Sequence, residues 1–312
     1  MRAGQAGPAR PGRGRRFSLL SRRDAIVLGL MVGIPALLDL VMIWGPTLAS
    51  IVLSFTNWNG VAALGPHSFI GLRNYRFLFS GYQQFWPAVA HNLLWLLFFG
   101  VIATPFGMFL AVLLDRSLRG GRIYQSAIFL PVILSLAVVG FIWDLQYGPA
   151  NGFINNFLGL TQQHKGVDWL GDPKINIWAV LVAASWRHVG YIMVLYLSGL
   201  KSIDPSLREA AAIDGASERQ TFFRVILPVM APINIVIVVV TTIESLRAFD
   251  IAYIINHGTN GLELLSTLIT NNSISEASLI GFGSSIAVVL LVISLVPIVI
   301  YLSRVMRDLT SA

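Results

Sequence analysis

The most unusual side chains in this sequence are ionisable groups inside long apolar runs, where a charge is costly to keep. Glu244, Arg247 and Asp250 are spaced i, i+3, i+6, so on one continuous helix they would share a face. Arg187 and Asp144 lie in two other apolar runs. Such groups can hydrogen-bond the hydroxyls of a polar solute, or Glu244 and Arg247 can form a buried structural pair. Both interpretations stay open from the residues alone.

Aromatic and amide side chains in the same runs add a second kind of chemistry. An aromatic ring can stack on the apolar face of a sugar while amides and carboxylates bond its hydroxyls. Asn92 and Trp186 are the candidates for these roles, and Asn234 and Trp143 are weaker ones. Tryptophan is also typical of the belts at the two membrane surfaces, where we expect Trp44, Trp58, Trp86 and Trp169.

Enzyme chemistry has no comparable signal in the sequence. There is no G-x4-G-K-[ST] phosphate-binding loop, no H-E-x-x-H zinc motif and no G-x-S-x-G nucleophile motif. Cysteine is absent and the five histidines are scattered. We therefore expect no active site, no metal site and no cofactor. Energy for any work must come from a partner or from an ion gradient.

The elements that must position the polar groups are membrane-spanning helices. Apolar residues make up 55% and charged residues 12% of the 312 residues, and uncharged runs recur at about the twenty residues that cross a bilayer. The runs lack the alternating polarity of a membrane β-barrel. We predict an all-α polytopic membrane protein, with a membrane domain at 24–305 and six spans at 25–55, 87–114, 123–145, 176–200, 229–249 and 281–302.

The Lys and Arg residues outside these spans predict the orientation. Sixteen lie in the N-terminal tail, the second and fourth loops and the C-terminus, and four lie in the other three loops. Positive charge concentrates on the cytoplasmic side, so we expect both termini there, as a disordered basic tail at 1–23 and a short tail at 306–312. Membrane electrostatics explains the basic tail, so we expect no nucleic-acid binding.

The fourth loop, residues 201–228, predicts a helical hairpin. Asp204 precedes a proline, and this pair is a helix start because the carboxylate can accept from free amides. Gly215 suits the left-handed residue that ends a helix, and Ser217 with Gln220 has the spacing of a capping box. Docking against a partner protein and lying on the lipid surface both fit this pattern.

The same loop carries a spaced motif. Glu209-Ala210-Ala211, three residues, Gly215, nine residues and then Val225-Ile226-Leu227-Pro228 resemble the EAA loop of ABC importer permeases, EAA-x3-G-x9-I-x-LP. Only Val225 departs from that pattern. Further similarities to the carbohydrate-type permeases, the maltose and glycerol-3-phosphate group, are Phe-Leu-Pro at 129–131, Gly-Leu-Arg-Asn-Tyr at 71–75 and Phe-Asp at 249–250. In the family, Gly-Gly-Pro often follows this Phe-Asp pair. Here residues 256–261 read Asn-His-Gly-Thr-Asn-Gly instead.

The resemblance implies a type I ABC importer permease fold in a bacterial cell membrane. A second homologous permease would complete a heterodimer on two copies of a cytoplasmic ABC ATPase, and an extracellular solute-binding protein would deliver a carbohydrate or related polar solute. Segments 71–79 and 147–173 are either docking sites for that protein or plain connectors. The coupling residues implied for the ATPase contact are Glu209, Ala210, Ala211, Asp214, Gly215, Leu227 and Pro228.

A different class of transporter is the alternative. An autonomous secondary transporter would couple uptake to protons or sodium through Glu244 or Asp250. Such carriers usually contain an internal repeat of broken helices, and the two halves of this chain show no convincing match. The EAA loop would also have no purpose in such a carrier.

Overall fold

The computed structural model describes residues 21–311 except 62, 117, 161–165 and 275–277. In this part of the chain the regular structure is helical, apart from one isolated β-bridge between Thr56 and Phe69. The all-α prediction is therefore confirmed. Residues 1–20 of the predicted disordered tail lie outside the described residues.

The helices vary widely in length. They are α1 (Arg23–Leu53), α2 (Arg73–Ser80), α3 (Phe85–Asp115), α4 (Gly121–Ile133), α5 (Leu136–Tyr147), α6 (Phe153–Phe157), α7 (Asn176–Ser202), α8 (Pro205–Ile213), α9 (Glu218–Val229), α10 (Ala231–Leu246), α11 (Asp250–Asn256), α12 (Leu265–Ser273) and α13 (Ile280–Ser311). Of these, α1, α3, α7 and α13 are each long and apolar enough to cross a membrane. Two bent pairs raise the number of candidate spans to six.

The predicted span 123–145 is not one straight helix. α4 ends at Ile133, and the next two residues have extended backbone angles before α5 begins. The hydroxyl of Ser135 accepts a hydrogen bond from the backbone N–H of Val138 at 3.3 Å, which caps the start of α5. The chain therefore turns by 101° at a point where the sequence predicted a continuous helix.

The predicted span 229–249 is also divided. At its start the chain bends by 75° between α9 and the segment that begins at Ala231. At its end α10 stops at Leu246, and α11 begins at Asp250 after a short non-helical link. This second interruption matters for the polar groups, since it separates residues that were expected on one helix.

Three long helices contain a π-helical turn that ends two residues before a proline. The turns are Leu40–Trp44 before Pro46, Phe99–Ala103 before Pro105 and Phe222–Ile226 before Pro228. A proline inside a helix removes one hydrogen bond and clashes with the carbonyl four residues earlier. In each case that carbonyl lies inside the widened turn, so the helix accommodates the proline without ending.

Helices α3 and α7 pack closely along each other. A Cβ atom at Gly107 of α3 would lie 2.9 Å from Cβ of Ile192 and 3.0 Å from the carbonyl oxygen of Val189, both on α7. Small residues permit this close approach between helices in membranes, where van der Waals packing replaces the hydrophobic drive. Residues on α3 and α7 can therefore line one shared cavity.

Candidate functional site

A small cavity lies between α3, α5, α7 and the junction of α10 with α11, and we call it the intramembrane cavity. Its volume is about 40 Å³, which is enough for water and well below the roughly 300 Å³ at which small-molecule sites begin. Its polar and aromatic lining residues are Trp95, Phe99, Arg187, His188, Glu244, Phe249 and Asp250.

Arg187 and Glu244 form an ion pair beside this cavity. Nη1 of Arg187 lies 3.9 Å from Oε2 of Glu244, a distance too long for a charge-assisted hydrogen bond. Nε of Arg187 is buried and has no hydrogen-bond partner in the described part of the chain. Asp250 supplies a second carboxylate to the same lining. The guanidinium therefore has donor capacity that the described residues do not use.

The expectation that Glu244, Arg247 and Asp250 share one helical face is wrong. α10 ends one residue before Arg247, whose backbone angles are φ −89° and ψ 2°, and Asp250 opens the next helix. Arg247 is exposed and does not line the cavity. Glu244 pairs with Arg187 of α7 rather than with Arg247.

His188 was not among the predicted site residues. It is 4% exposed, and its ring stacks on Phe99 with centroids 4.2 Å apart. Its Nε2 lies 3.4 Å from Oγ1 of Thr104 and 3.5 Å from Oγ1 of Thr241, so the side chain joins α3, α7 and α10. The sequence could have indicated His188 as a site residue, because it lies next to Arg187 inside an apolar run.

Two aromatic residues of α3 form one wall of the cavity. Trp95 and Phe99 are four residues apart, and their ring centroids are 5.9 Å apart. Nε1 of Trp95 is buried and without a hydrogen-bond partner among the described residues. Aromatic rings beside unused donors and carboxylates are the combination that binds sugars, with stacking on the ring face and hydrogen bonds to hydroxyls.

A second region, residues 204–229, is the predicted hairpin. The carboxylate of Asp204 accepts a hydrogen bond at 2.9 Å from the backbone N–H two residues later, and this bond lowers the pKa of Asp204. Gly215 has φ +75°. The N–H of Ser217 donates to Oε1 of Gln220 at 2.8 Å, and the N–H of Gln220 donates to Oγ of Ser217 at 3.3 Å. The helix–turn–helix prediction is confirmed.

Two ion pairs tie the hairpin to the end of α3. Nη2 of Arg208 lies 2.7 Å from Oδ2 of Asp115, and Nη2 of Arg116 lies 2.7 Å from Oε2 of Glu218. Ile226 adds apolar contact, since it is buried in a cluster with residues of α3 and α7. The hairpin is therefore attached to the membrane helices through both of its arms.

The hairpin also presents apolar side chains outward. Ile213, the last residue of α8, is 86% exposed, and Leu207 and Phe223 are also exposed. Glu209, Ala210 and Asp214 are exposed as well. Ala211 is buried instead. Leu207 and Ile213 lie on α8 and Phe223 lies on α9, so both arms of the hairpin expose apolar side chains.

The sequence matches a known family over residues 97–308, described as the binding-protein-dependent transport system inner membrane component. The chain belongs to this family. A probable ABC transporter permease protein of Pyrococcus horikoshii is 32% identical over 275 residues, which cover 86% of this chain and 92% of that protein. The xylose/arabinose import permease protein XacH of Haloferax volcanii is 33% identical over 266 residues, which cover 84% of this chain and 83% of XacH.

A solved structure shows the same fold as this inner-membrane component. It is a chain of a bacterial alginate ABC transporter in complex with an alginate pentasaccharide-bound periplasmic protein. The TM-score is 0.78 at 21% identity, covering 93% of this chain and 96% of that one. The type I permease fold is confirmed. Of the two transport hypotheses, family membership bears out the binding-protein-dependent one.

Asn92 of this transport component does not line the intramembrane cavity; its side chain bonds the backbone of other helices. It is 1% exposed, and its Oδ1 accepts a hydrogen bond from the N–H of Leu265 at 2.9 Å. Its amide donates to the carbonyls of Ser245 and Leu246, both at 3.4 Å. Asn92 thus joins α3, the end of α10 and the start of α12.

The remaining predicted site residues also lie outside the cavity lining. Trp186 and Asp144 are exposed, and the Trp186 ring lies edge-on to Trp143 at 6.0 Å. Asn234 donates to the carbonyl of Leu227 at 3.1 Å, across the bend between α9 and α10. The structure therefore brings together Arg187, Glu244 and Asp250 of the predicted set and leaves the others apart.

Proposed function

We propose that this chain is the permease subunit of an ATP-driven importer and moves a carbohydrate or related polar solute inward by alternating access. A second homologous permease completes a heterodimer, two copies of a cytoplasmic ATPase supply the energy, and an extracellular binding protein delivers the solute. The concentration of Lys and Arg in alternate loops supports cytoplasmic termini and a cytoplasmic hairpin.

The observation that carries this proposal is the construction of the hairpin. It is internally capped, attached to α3 by two ion pairs and exposed at Ile213. A rigid element with this attachment can pass a displacement of its tip to the membrane helices. The sequence has no phosphate-binding loop of its own, which is consistent with a displacement that comes from another subunit. The EAA spacing supports an ATPase as that subunit.

The substrate class follows from the cavity and from the relatives. Arg187 offers donors, Glu244 and Asp250 offer acceptors, and Trp95 and Phe99 offer ring faces. One relative is named for xylose and arabinose import, and the structural neighbour carries an alginate pentasaccharide on its periplasmic protein. A polyhydroxylated solute fits all of these features.

The small volume of the cavity fits a closed stage of the transport cycle. At about 40 Å³ it holds water but no sugar. Admission of a solute requires separation of the helices around it, with the loose Arg187–Glu244 pair free to open. A partner permease is expected to contribute the rest of the binding surface.

Substitution of Ile213 by aspartate tests the coupling role. Burial of one isoleucine contributes about 1.5–3 kcal/mol, so Ile213→Asp should lower the affinity of the ATPase subunits for the permease at least tenfold. The measurement is co-purification of the ATPase over a range of concentrations in mild detergent. Val61→Asp is the matched control, because Val61 is 89% exposed but lies in the first outer loop. Equal ATPase recovery from both variants would refute docking at the hairpin tip.

A further inference from the structure

A second cavity, which we call the basic cavity, lies where α3 ends, α4 begins and α7 ends. Its volume is about 390 Å³, which falls within the range of small-ligand sites. Its side chains include three cations and one carboxylate. The lining residues that matter here are Asp115, Arg116, Leu118, Arg122, Gln125 and Lys201.

The charges around the basic cavity do not cancel. Asp115 forms an ion pair with Arg208, and Arg116 forms one with Glu218, each with an N–O distance of 2.7 Å. Arg122 and Lys201 make no ion pair with any other residue in the described part of the chain, and both are exposed. Two uncompensated cations therefore remain in one concave site, which favours an anion.

The cations stand beside exposed apolar side chains. Leu118 is 47% exposed, and Ile123 and Tyr124, at the start of α4, are 75% and 58% exposed. Lys201 lies in the last turn of α7, which is a candidate membrane span, so the site is at one end of that span. Tyrosine and cationic residues are typical of the membrane–water interface. A ligand that fits has an anionic head and an apolar tail.

We propose that the basic cavity binds the phosphate headgroup of an anionic phospholipid, with its acyl chains against Ile123 and Tyr124. Arg122 and Lys201 contact the phosphate, and Gln125 is placed to donate to its oxygens. Basic pockets between membrane helices recognise anionic headgroups in this way. The bound lipid would lie next to Asp115, which holds Arg208 of the hairpin. The proposal does not depend on the identity of the transported solute.

Native mass spectrometry of the detergent-purified complex tests the lipid site. We expect retained dioleoyl phosphatidylglycerol and little retained dioleoyl phosphatidylcholine. Arg122→Gln with Lys201→Gln should weaken phosphatidylglycerol binding about 30-fold, as two lost surface charges predict. Arg119→Gln is the control, because Arg119 lies in the same loop but outside the lining. Arg122→Lys with Lys201→Arg should keep the binding, which separates lost charge from misfolding.

Four outcomes would overturn the proposal. The first is unchanged phosphatidylglycerol retention in the double glutamine variant, and the second is equal loss in Arg119→Gln. The third is binding of inorganic phosphate as tight as that of the lipid, which would identify a free-anion site. The chain has no cysteine, so Leu118→Cys, which lies in the same lining and keeps both cations, can carry a single photocrosslinker. Labelling of the ATPase subunit rather than lipid at that position would assign the cavity to protein docking.

Discussion

The polar groups of the hairpin have hydrogen-bond or ion-pair partners, whereas some polar groups around the intramembrane cavity lack them among the described residues. In the hairpin, Asp204, Ser217 and Gln220 each bond a backbone N–H, and both ion pairs have 2.7 Å contacts. Around the cavity the Arg187–Glu244 pair is 3.9 Å long, and two buried donors, on Arg187 and Trp95, lack partners in the described chain.

This difference suits the two regions to different tasks. A fully bonded hairpin moves as one unit, so a force on its tip reaches α3 with little internal deformation. A buried donor without a partner costs roughly 1–3 kcal/mol, and a solute hydroxyl that bonds it recovers that free energy. The cavity is therefore arranged to change its contacts, whereas the hairpin is arranged to keep them.

The largest effect is expected at the cavity. Arg187→Leu leaves the half-buried Glu244 without its cation and removes the unused donors. We expect uptake by the reconstituted transporter to fall at least a hundredfold, since a lost charged contact that binds solute costs about 3 kcal/mol or more. The measurement is ATP-dependent solute uptake into proteoliposomes, with complex yield recorded in parallel.

A charge-swapped variant distinguishes solute binding from structural pairing. Arg187→Glu with Glu244→Arg restores a pair in the same place but reverses which helix carries the donors. We expect normal complex yield without recovered uptake. Full recovery of uptake would instead show that the pair only holds α7 against α10, and the contrast between the two regions would then disappear.

The hairpin could be predicted from sequence because its determinants are local. Each determinant depends on only a few neighbouring residues: a helix cap, a glycine with positive φ and the reciprocal Ser217–Gln220 pair. The four spans that are single helices were equally predictable, since each is a long apolar run. The break at Ser135 left a weaker local signal, a cap residue after Pro131 in an otherwise apolar segment.

The cavity could not be predicted because its residues meet only through tertiary packing. Phe99 stacks on His188 from a π-helical turn that shifts the register of α3. The fifth predicted span is interrupted after Leu246. Because of this interruption, Asp250 lines the cavity and Arg247 lies outside the lining. Helical periodicity assumes an unbroken helix, so it wrongly grouped Arg247 with Glu244 and Asp250.

A smaller effect should separate the two hairpin attachments. The side chain of Asp115 is 14% exposed and that of Arg208 is 42% exposed, whereas Arg116 and Glu218 are 63% and 86% exposed. Exposed pairs contribute little, and a partly buried pair contributes up to about 1 kcal/mol. Asp115→Asn should therefore speed amide hydrogen exchange in 204–229 about fivefold, and Arg116→Gln should change it less than twofold. Equal effects would mean that the hairpin is not anchored mainly through Asp115.

The smallest effect concerns the pH dependence of the Asp204 cap. Hydrogen bonding to the carboxylate lowers its pKa below the ordinary value of 3.8, so the ionised form is the one that stabilises the start of α8. That contribution is fully present above the ordinary pKa and is lost as the pH falls through the lowered one.

Protection of the first amides of α8, measured by hydrogen exchange and corrected for intrinsic rates, should therefore stay level from pH 6 to about 4 and decrease as the pH falls below 3.8. Asp204→Asn keeps an oxygen that can cap the helix but cannot titrate, so its protection should stay level across the same range. The Ser217 cap at the start of α9 is an internal control, because its hydroxyl does not ionise. Identical pH profiles in the wild-type chain and Asp204→Asn would show that the carboxylate does not contribute to the hairpin as the 2.9 Å bond indicates.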